Sequence, residues 1–217
     1  MLKIITSCVL AISLAGCASM SGDLAGSAGS YSVIAQAKEL QGAGQHEQAS
    51  AVLQKAALAS PEDTTLRAAY GKSLVDLGRL KEAQSVLSQA HTPDKPDAMV
   101  LSAQGVVASQ MGDHKQALAY FDRAQKLAPD NAGIEANAAM AYALSGQLDQ
   151  AETVARRAAG STTADARVRQ TLGLILAMRG KDDDARKVFA EDLSPEQAAS
   201  NIEAVKRLRK GGKKSVG

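Results

Sequence analysis

From Ser30 to about residue 200, small and apolar residues return on a fixed spacing, with polar positions between them. Gly44, Gly78, Gly112, Gly146 and Gly180 stand 34 residues apart, and five residues after each comes an alanine: Ala49, Ala83, Ala117, Ala151 and Ala185. A larger core candidate follows in four repeats, at Leu53, Leu87, Phe121 and Phe189. Beyond it lies a second small residue, Ala56, Ala90, Ala124 and Ala158, replaced by Asp192 in the last repeat. This register predicts one helical hairpin used five times, starting at Ser30, Thr64, Ala98, Ala132 and Ala166. The glycine ends the first helix, where a left-handed cap costs glycine least, and the marker alanine lets the two helices cross closely. Polar residues suited to starting the second helix follow, as in Gly112-Asp113 and Gly146-Gln147. Pro61 and Pro129 stop the second helix in the first and third repeats. Such a hairpin buries its apolar face only by stacking on its neighbours, so the expected fold is an all-α solenoid over residues 30–193.

The flanks break the period. Ser194-Pro195-Glu196-Gln197 combines an N-cap, a proline at the first helical position and a capping-box glutamine. Ala198, Ile202, Val205 and Leu208 then recur at helical spacing, which predicts a capping helix over 194–210 and a frayed basic tail over 211–217. Before the repeats, Ala18 to Ser30 is rich in Gly, Ser and Ala. It reads as a flexible tether with a reach of about 20 Å. At the start, Lys3 precedes an apolar run from Ile4 to Leu14, of signal-peptide length and too short to span a membrane as a mature helix.

That run ends in Leu14-Ala15-Gly16-Cys17, which resembles a bacterial lipobox. The resemblance implies a signal over 1–16, cleavage before Cys17, and a diacylglycerol and N-acyl lipid on its sulfur and amine. The other reading is secretory cleavage after an Ala-x-Ala-like site near Ala18. Ala18 stands where enteric-type bacteria use aspartate to retain lipoproteins in the inner membrane, so the resemblance implies the periplasmic side of the outer membrane. Cys8 would leave with the signal and Cys17 would carry the lipid, leaving no thiol for a disulfide.

The repeats resemble the tetratricopeptide family, most closely at Phe121-Asp122-Arg123-Ala124-Gln125-Lys126-Leu127-Ala128-Pro129. The family's small residue at position eight appears as Ala37, Gly71, Gly105, Ala139 and Gly173. Its frequent tryptophan at position four is replaced by Val33, Arg67, Leu101, Glu135 and Arg169. The resemblance implies that first-helix residues line a concave, peptide-binding side. They include Tyr31, Ile34, Lys38, Lys72, Met99, Val106, Asn137, Met140, Leu144, Arg167, Leu174 and Met178. The chaperone-type carboxylate clamp matches only at Asn137 and Arg167, with Val106 in place of its asparagine. The remainder is a methionine-bearing, mostly apolar stripe, read equally as a groove for a partner or as packing between first helices.

Charge adds little that is specific. Lys and Arg number 25 against 23 Asp and Glu, a net of +2 that implies no nucleic-acid field. No phosphate loop, Ser/His/Asp pattern or small-molecule substrate site is visible, and the expectation is a non-enzyme with no metal and no cofactor beyond the lipid. His46 and His114 sit two repeats apart and His91 ends a second helix, too dispersed to share a metal. Asp182-Asp183-Asp184 fits the first turn of a helix better than a calcium loop. The basic end, Lys206 to Lys214, reads as a solvated helix terminus, or as a contact for anionic headgroups or acidic partners.

A lipobox, five repeats and a short ending, Asp192-Leu193-Ser194-Pro195-Glu196-Gln197-Ala198-Ala199-Ser200-Asn201, resemble the lipoprotein of the Tad (tight adherence, Flp pilus) system, TadD. That resemblance implies a pilotin-like adaptor binding the pilus secretin or other Tad components. Scaffolds for outer-membrane barrel assembly and regulators of periplasmic cell-wall enzymes are the alternatives.

Overall fold

Helices form in this chain wherever the 34-residue pattern calls for them. The computed structural model describes residues 20–90 and 94–214. Among them are eleven helices and no strand: α1 (Met20–Gly42), α2 (His46–Ala59), α3 (Thr64–Asp76), α4 (Leu80–Ser88), α5 (Ala98–Gln110), α6 (His114–Leu127), α7 (Ala132–Leu144), α8 (Leu148–Ala159), α9 (Ala166–Met178), α10 (Asp182–Phe189) and α11 (Pro195–Lys214). They pair as five hairpins with α11 laid against α9 and α10, an all-α tetratricopeptide-type solenoid.

The five ladder glycines all have positive φ, between 71° and 88°. At Gly44, Gly78, Gly112 and Gly146 a Cβ would meet nothing within 4 Å, so backbone conformation alone selects glycine there. Each turn closes in the same way: the amide after the glycine returns to a carbonyl five residues earlier, as in Arg79 N–H to Leu74 O at 2.8 Å and Lys181 N–H to Leu176 O at 2.9 Å. All five marker alanines are fully buried.

In three of the hairpins, position eight of the first helix faces the large core residue of the second. A Cβ at Gly105 would lie 2.7 Å from the Phe121 ring, one at Gly173 2.6 Å from Phe189, and one at Gly71 2.5 Å from Leu87. Repeats one and four carry alanine at this position. In repeats two, three and five the glycine thus leaves the space that the large residue fills, as close packing requires.

The unusual residues at position four also find partners at the end of their own hairpin. Arg169 holds Asp192 in a two-pronged pair at 2.8 and 2.5 Å. Arg157 donates to Glu135 at 2.9 Å, and Arg67 to the Gln89 carbonyl at 2.6 Å. Arg169 and Asp192 are therefore two departures from the repeat pattern that satisfy each other. A further ladder caps the first helices: Asp63, Asp97, Asn131 and Asp165 each accept from a backbone N–H two or three residues on, at 2.8–3.2 Å. At the second helices Asp113 caps through its side chain but Gln147 does not.

Three expectations change at the ends. The tether over 17–29 gives way to helix from Met20, because a helix already anchored by repeat packing extends at little further cost. The tail over 211–217 is likewise helical as far as Lys214. Leu208 does not join the packed stripe: Ala198, Ile202 and Val205 are buried, whereas Leu208 is 75% exposed. At about 100° per residue the inward direction passes to Arg209, four residues after Val205, and leaves Leu208 pointing sideways to solvent. The capping box at Ser194 forms with both arms, Ser194 N–H to Gln197 Oε1 at 3.0 Å and Gln197 N–H to Ser194 Oγ at 3.3 Å. Residues 1–19, with the apolar run and Cys17, lie outside the described residues, as do His91 and 215–217. No helix among the described residues is long and apolar enough to cross a membrane.

Candidate functional site

Successive first helices touch one another, α1 with α3, α3 with α5, α5 with α7 and α7 with α9, whereas second helices of adjacent repeats do not. The array therefore curves with its first helices on the inside, which builds the candidate site from their outward-facing residues.

Apolar and polar candidates separate on this face. Ile34, Val106, Met140, Leu174 and Met178 are half-buried, and all five lie against the core. Tyr31, Met99 and Leu144 are exposed, spaced along the array rather than gathered into one apolar groove. Between them runs a polar chain. Arg167 donates to Asn137 Oδ1 at 3.2 Å, and Asn137 Nδ2 donates to Ser102 Oγ at 3.2 Å, linking repeats five, four and three. Gly133 makes room for this arrangement, since a Cβ there would meet the Arg167 guanidinium at 2.8 Å.

Cations converge on the same side. Lys72 reaches solvent, yet the curve surrounds it with protein. Its ammonium is held below the usual lysine range, first by burial, then by the charge of Arg167 three repeats away, with Lys38 adding to the effect and Asp76 and Asp165 opposing it. Burial raises Asp76 above the ordinary carboxylate range against Lys72 and His46, and Gln41 donates to it at 3.2 Å. Lys38, Lys72 and Arg167 thus share the inner side with the carboxylates of Asp76 and Asp165, the cations in excess, and the Asn137 amide holds Arg167. Such a face can receive carboxylates of a bound segment; it holds no nucleophile–base pair. His46 is exposed at the start of α2 and His114 starts α6, so the two histidines are not brought together. Among the described residues no group of three His, Cys, Asp or Glu could hold a metal.

The Asp182-Asp183-Asp184 run lies in the first turn of α10, and Asp182 also takes Lys206 at 3.3 Å and Arg209 at 3.3 Å from α11. Nothing in the repeat pattern points to Glu152 as a hub. This buried carboxylate accepts from Arg156 at 2.8 Å, from Lys181 at 2.9 Å and from Arg179, which also pairs with Asp149. Burial alone would raise its pKa; hydrogen bonds from Lys181 and Arg156 and the charges of Arg179 and Lys181 outweigh that and hold it at about 2.

A sequence profile described as tetratricopeptide repeat matches residues 7–164. No curated protein sequence matches the chain. Among solved structures, the thermophilic tetratricopeptide protein TTC0263 of Thermus thermophilus aligns with a TM-score of 0.68 at 19% identity, over 81% of this chain and 98% of its own. The Cut9–Hcn1 hetero-tetramer of the APC/C aligns at 0.62 and 21% identity, over 81% of this chain and 36% of that one. A repeat protein from Parabacteroides merdae ATCC 43184 aligns at 0.51 and 16%, over 81% and 73%. At these identities the likenesses speak to fold alone.

Proposed function

Because the chain belongs to the tetratricopeptide repeat family, whose members are protein-interaction scaffolds, we propose that it is a lipid-anchored adaptor of Tad/Flp pilus assembly on the periplasmic side of the outer membrane. Its inner face captures a carboxylate-bearing segment of the pilus secretin or another Tad component in a pilotin-like role. The observation carrying the binding mode is the convergence of Lys38, Lys72 and Arg167 beside Asn137 on the inner side. The lipobox at Leu14–Cys17 and the ending Asp192–Asn201 support the location and the pilus assignment. A lipid confines the site to the plane where a secretin inserts, so a weak contact gains effective concentration.

The test is in-cell crosslinking and pull-down from outer membranes, with Cys17→Ser and a Lys72→Gln/Arg167→Gln variant alongside the parent. A secretin or pilus component enriched by the parent and lost in both variants is expected, together with loss of secretin multimers when the protein is deleted. Enrichment of barrel-assembly or cell-wall factors in its place would overturn the pilus assignment and leave the fold untouched.

A further inference from the structure

The outer side of the solenoid carries a feature that the repeat pattern does not call for. Second helices of adjacent repeats do not touch, and between α4 and α6, over α5, lies a cavity of about 400 Å³. Gln104 and Tyr120 both line it, and both depart from their ladders. In the other first helices that pack on a preceding repeat, the position of Gln104 holds Tyr70, Ala138 and Leu172. The position of Tyr120 holds Val52, Val86, Val154 and Val188 in the other four repeats. Gln104 is poorly served by its place. Its Nε2 donates to the Leu87 carbonyl at 3.1 Å, but its Oε1 is enclosed and has no hydrogen-bond partner among the described residues. An enclosed acceptor left unpaired lowers stability, so packing does not account for the carboxamide.

We propose that this cavity is a binding site for a neutral saccharide. Its walls name the ligand class. Gln84, Ser85 and Ser88 from α4 and Gln116 from α6 add two further carboxamides and two hydroxyls, all four residues exposed. Carboxamides and hydroxyls each donate and accept, which is what a ring of sugar hydroxyls asks of its site. Lys81 is the single charge on the walls, and no carboxylate lines them among the described residues, so the site selects neither a cation nor a polyanion. Beside these groups Tyr120 supplies an aromatic face, a surface on which the C–H side of a pyranose ring can stack. The terminal torsion of glutamine is soft, so a bound hydroxyl can draw the enclosed Gln104 oxygen toward the cavity and give it the donor it lacks. The volume falls within the roughly 300–1,000 Å³ of small-molecule sites. A partner helix would need an apolar groove, but Val107 and Ala108 of the floor are buried. An extended peptide would need a sheet edge, and the described residues include no strand. No residue of the inner face takes part, so the site is independent of the adaptor reading.

Amide-resonance titration of the isotope-labelled full chain with Cys17→Ser tests it. The probes are cellobiose, N,N′-diacetylchitobiose and the neutral peptide Gly-Ser-Gln-Ser-Gly. Gln104→Leu and Tyr120→Val are compared in the same background, each restoring a residue that other repeats carry at that position. A saccharide is expected to give saturable shifts over 81–88, 104–108 and 116–120 in the parent. Both variants should bind it about tenfold more weakly, and Gln104→Leu should melt no lower than the parent, because the unpaired oxygen is gone. A response to both saccharides would assign recognition to the hydroxyls, and a response to diacetylchitobiose alone to the acetamido group; each supports the proposal. Shifts with neither saccharide, shifts with the peptide alone, or equal saccharide binding by the parent and both variants would overturn it. Because no pilus protein is present, either result is separate from the fate of the adaptor assignment.

Discussion

At Gly105 two opposing residue-scale effects can be weighed. Alanine there gains up to about 1 kcal/mol of helix propensity over glycine, but its methyl would stand 2.7 Å from the buried Phe121 ring. Overpacking of that kind costs about 1–3 kcal/mol, so Gly105→Ala is expected to lower stability by roughly 1 kcal/mol in urea unfolding. Adding Phe121→Leu is not expected to recover the loss, since a Cβ at Gly71 would stand just as close to Leu87, at 2.5 Å, and the change removes buried core volume as well. Glu152 makes the second case. Its carboxyl is held at about 2 against an ordinary 4.5, so its contribution is complete above pH 4.5 and is lost as pH falls toward 2. Glu152→Gln should cost on the order of 2–3 kcal/mol at pH 7, since three cations lose their shared carboxylate, and flatten the acid limb of a stability–pH curve. At this scale the sequence was partly legible. The glycine and alanine ladders stood out because an identical demand recurs every 34 residues. The N-cap ladder Asp63, Asp97, Asn131 and Asp165 has the same period and could have been read from it. The Glu152 hub could not: its partners Arg179 and Lys181 lie 27 and 29 residues away and occur in one repeat only.

Among the elements, α11 depends on two separable devices, a capping box at its start and the Asp182 contacts along its flank. Ser194→Ala should destabilise only the first turn, by about 1 kcal/mol. Asp182→Asn leaves a hydrogen-bonding amide but removes the attraction for Lys206 and Arg209, so faster amide hydrogen exchange is expected over 202–210 with α3 and α5 unchanged. Equal exchange in variant and parent would assign the docking of α11 to Ala198, Ile202 and Val205 alone. The starts of α3, α5, α7 and α9 coincide with the repeat boundaries read from the sequence, because each first helix begins directly after its capping residue. The start of α1 and the end of α11 were less legible, since no neighbouring repeat fixes the register beyond the array. There a Gly/Ser-rich or basic composition says what the segment tolerates, not where a helix anchored by packing stops.

For the whole molecule, curvature decides what the chain can bind, and it is the least visible property in the sequence. Repeats two and five are far apart in the chain, yet the charge of Arg167 bears on Lys72. Nothing in either residue's neighbourhood announces this. On the inner side cations outnumber carboxylates, Lys38, Lys72 and Arg167 against Asp76 and Asp165, and an anionic ligand relieves the repulsion that this excess leaves in the free protein. Arg167→Gln separates stability from ligand binding. It removes one cation from the excess and retains a group able to donate toward Asn137, while the exposed position bears little packing. Thermal melts should therefore show no fall in Tm, and a rise at low salt, where screening is weak. Capture of the partner in the crosslinking assay should fall several-fold. A Tm that drops in step with capture would mean that Arg167 holds the repeats together through Asn137 and Ser102, and that the polar chain is structural; an unchanged capture would place the partner elsewhere on the solenoid.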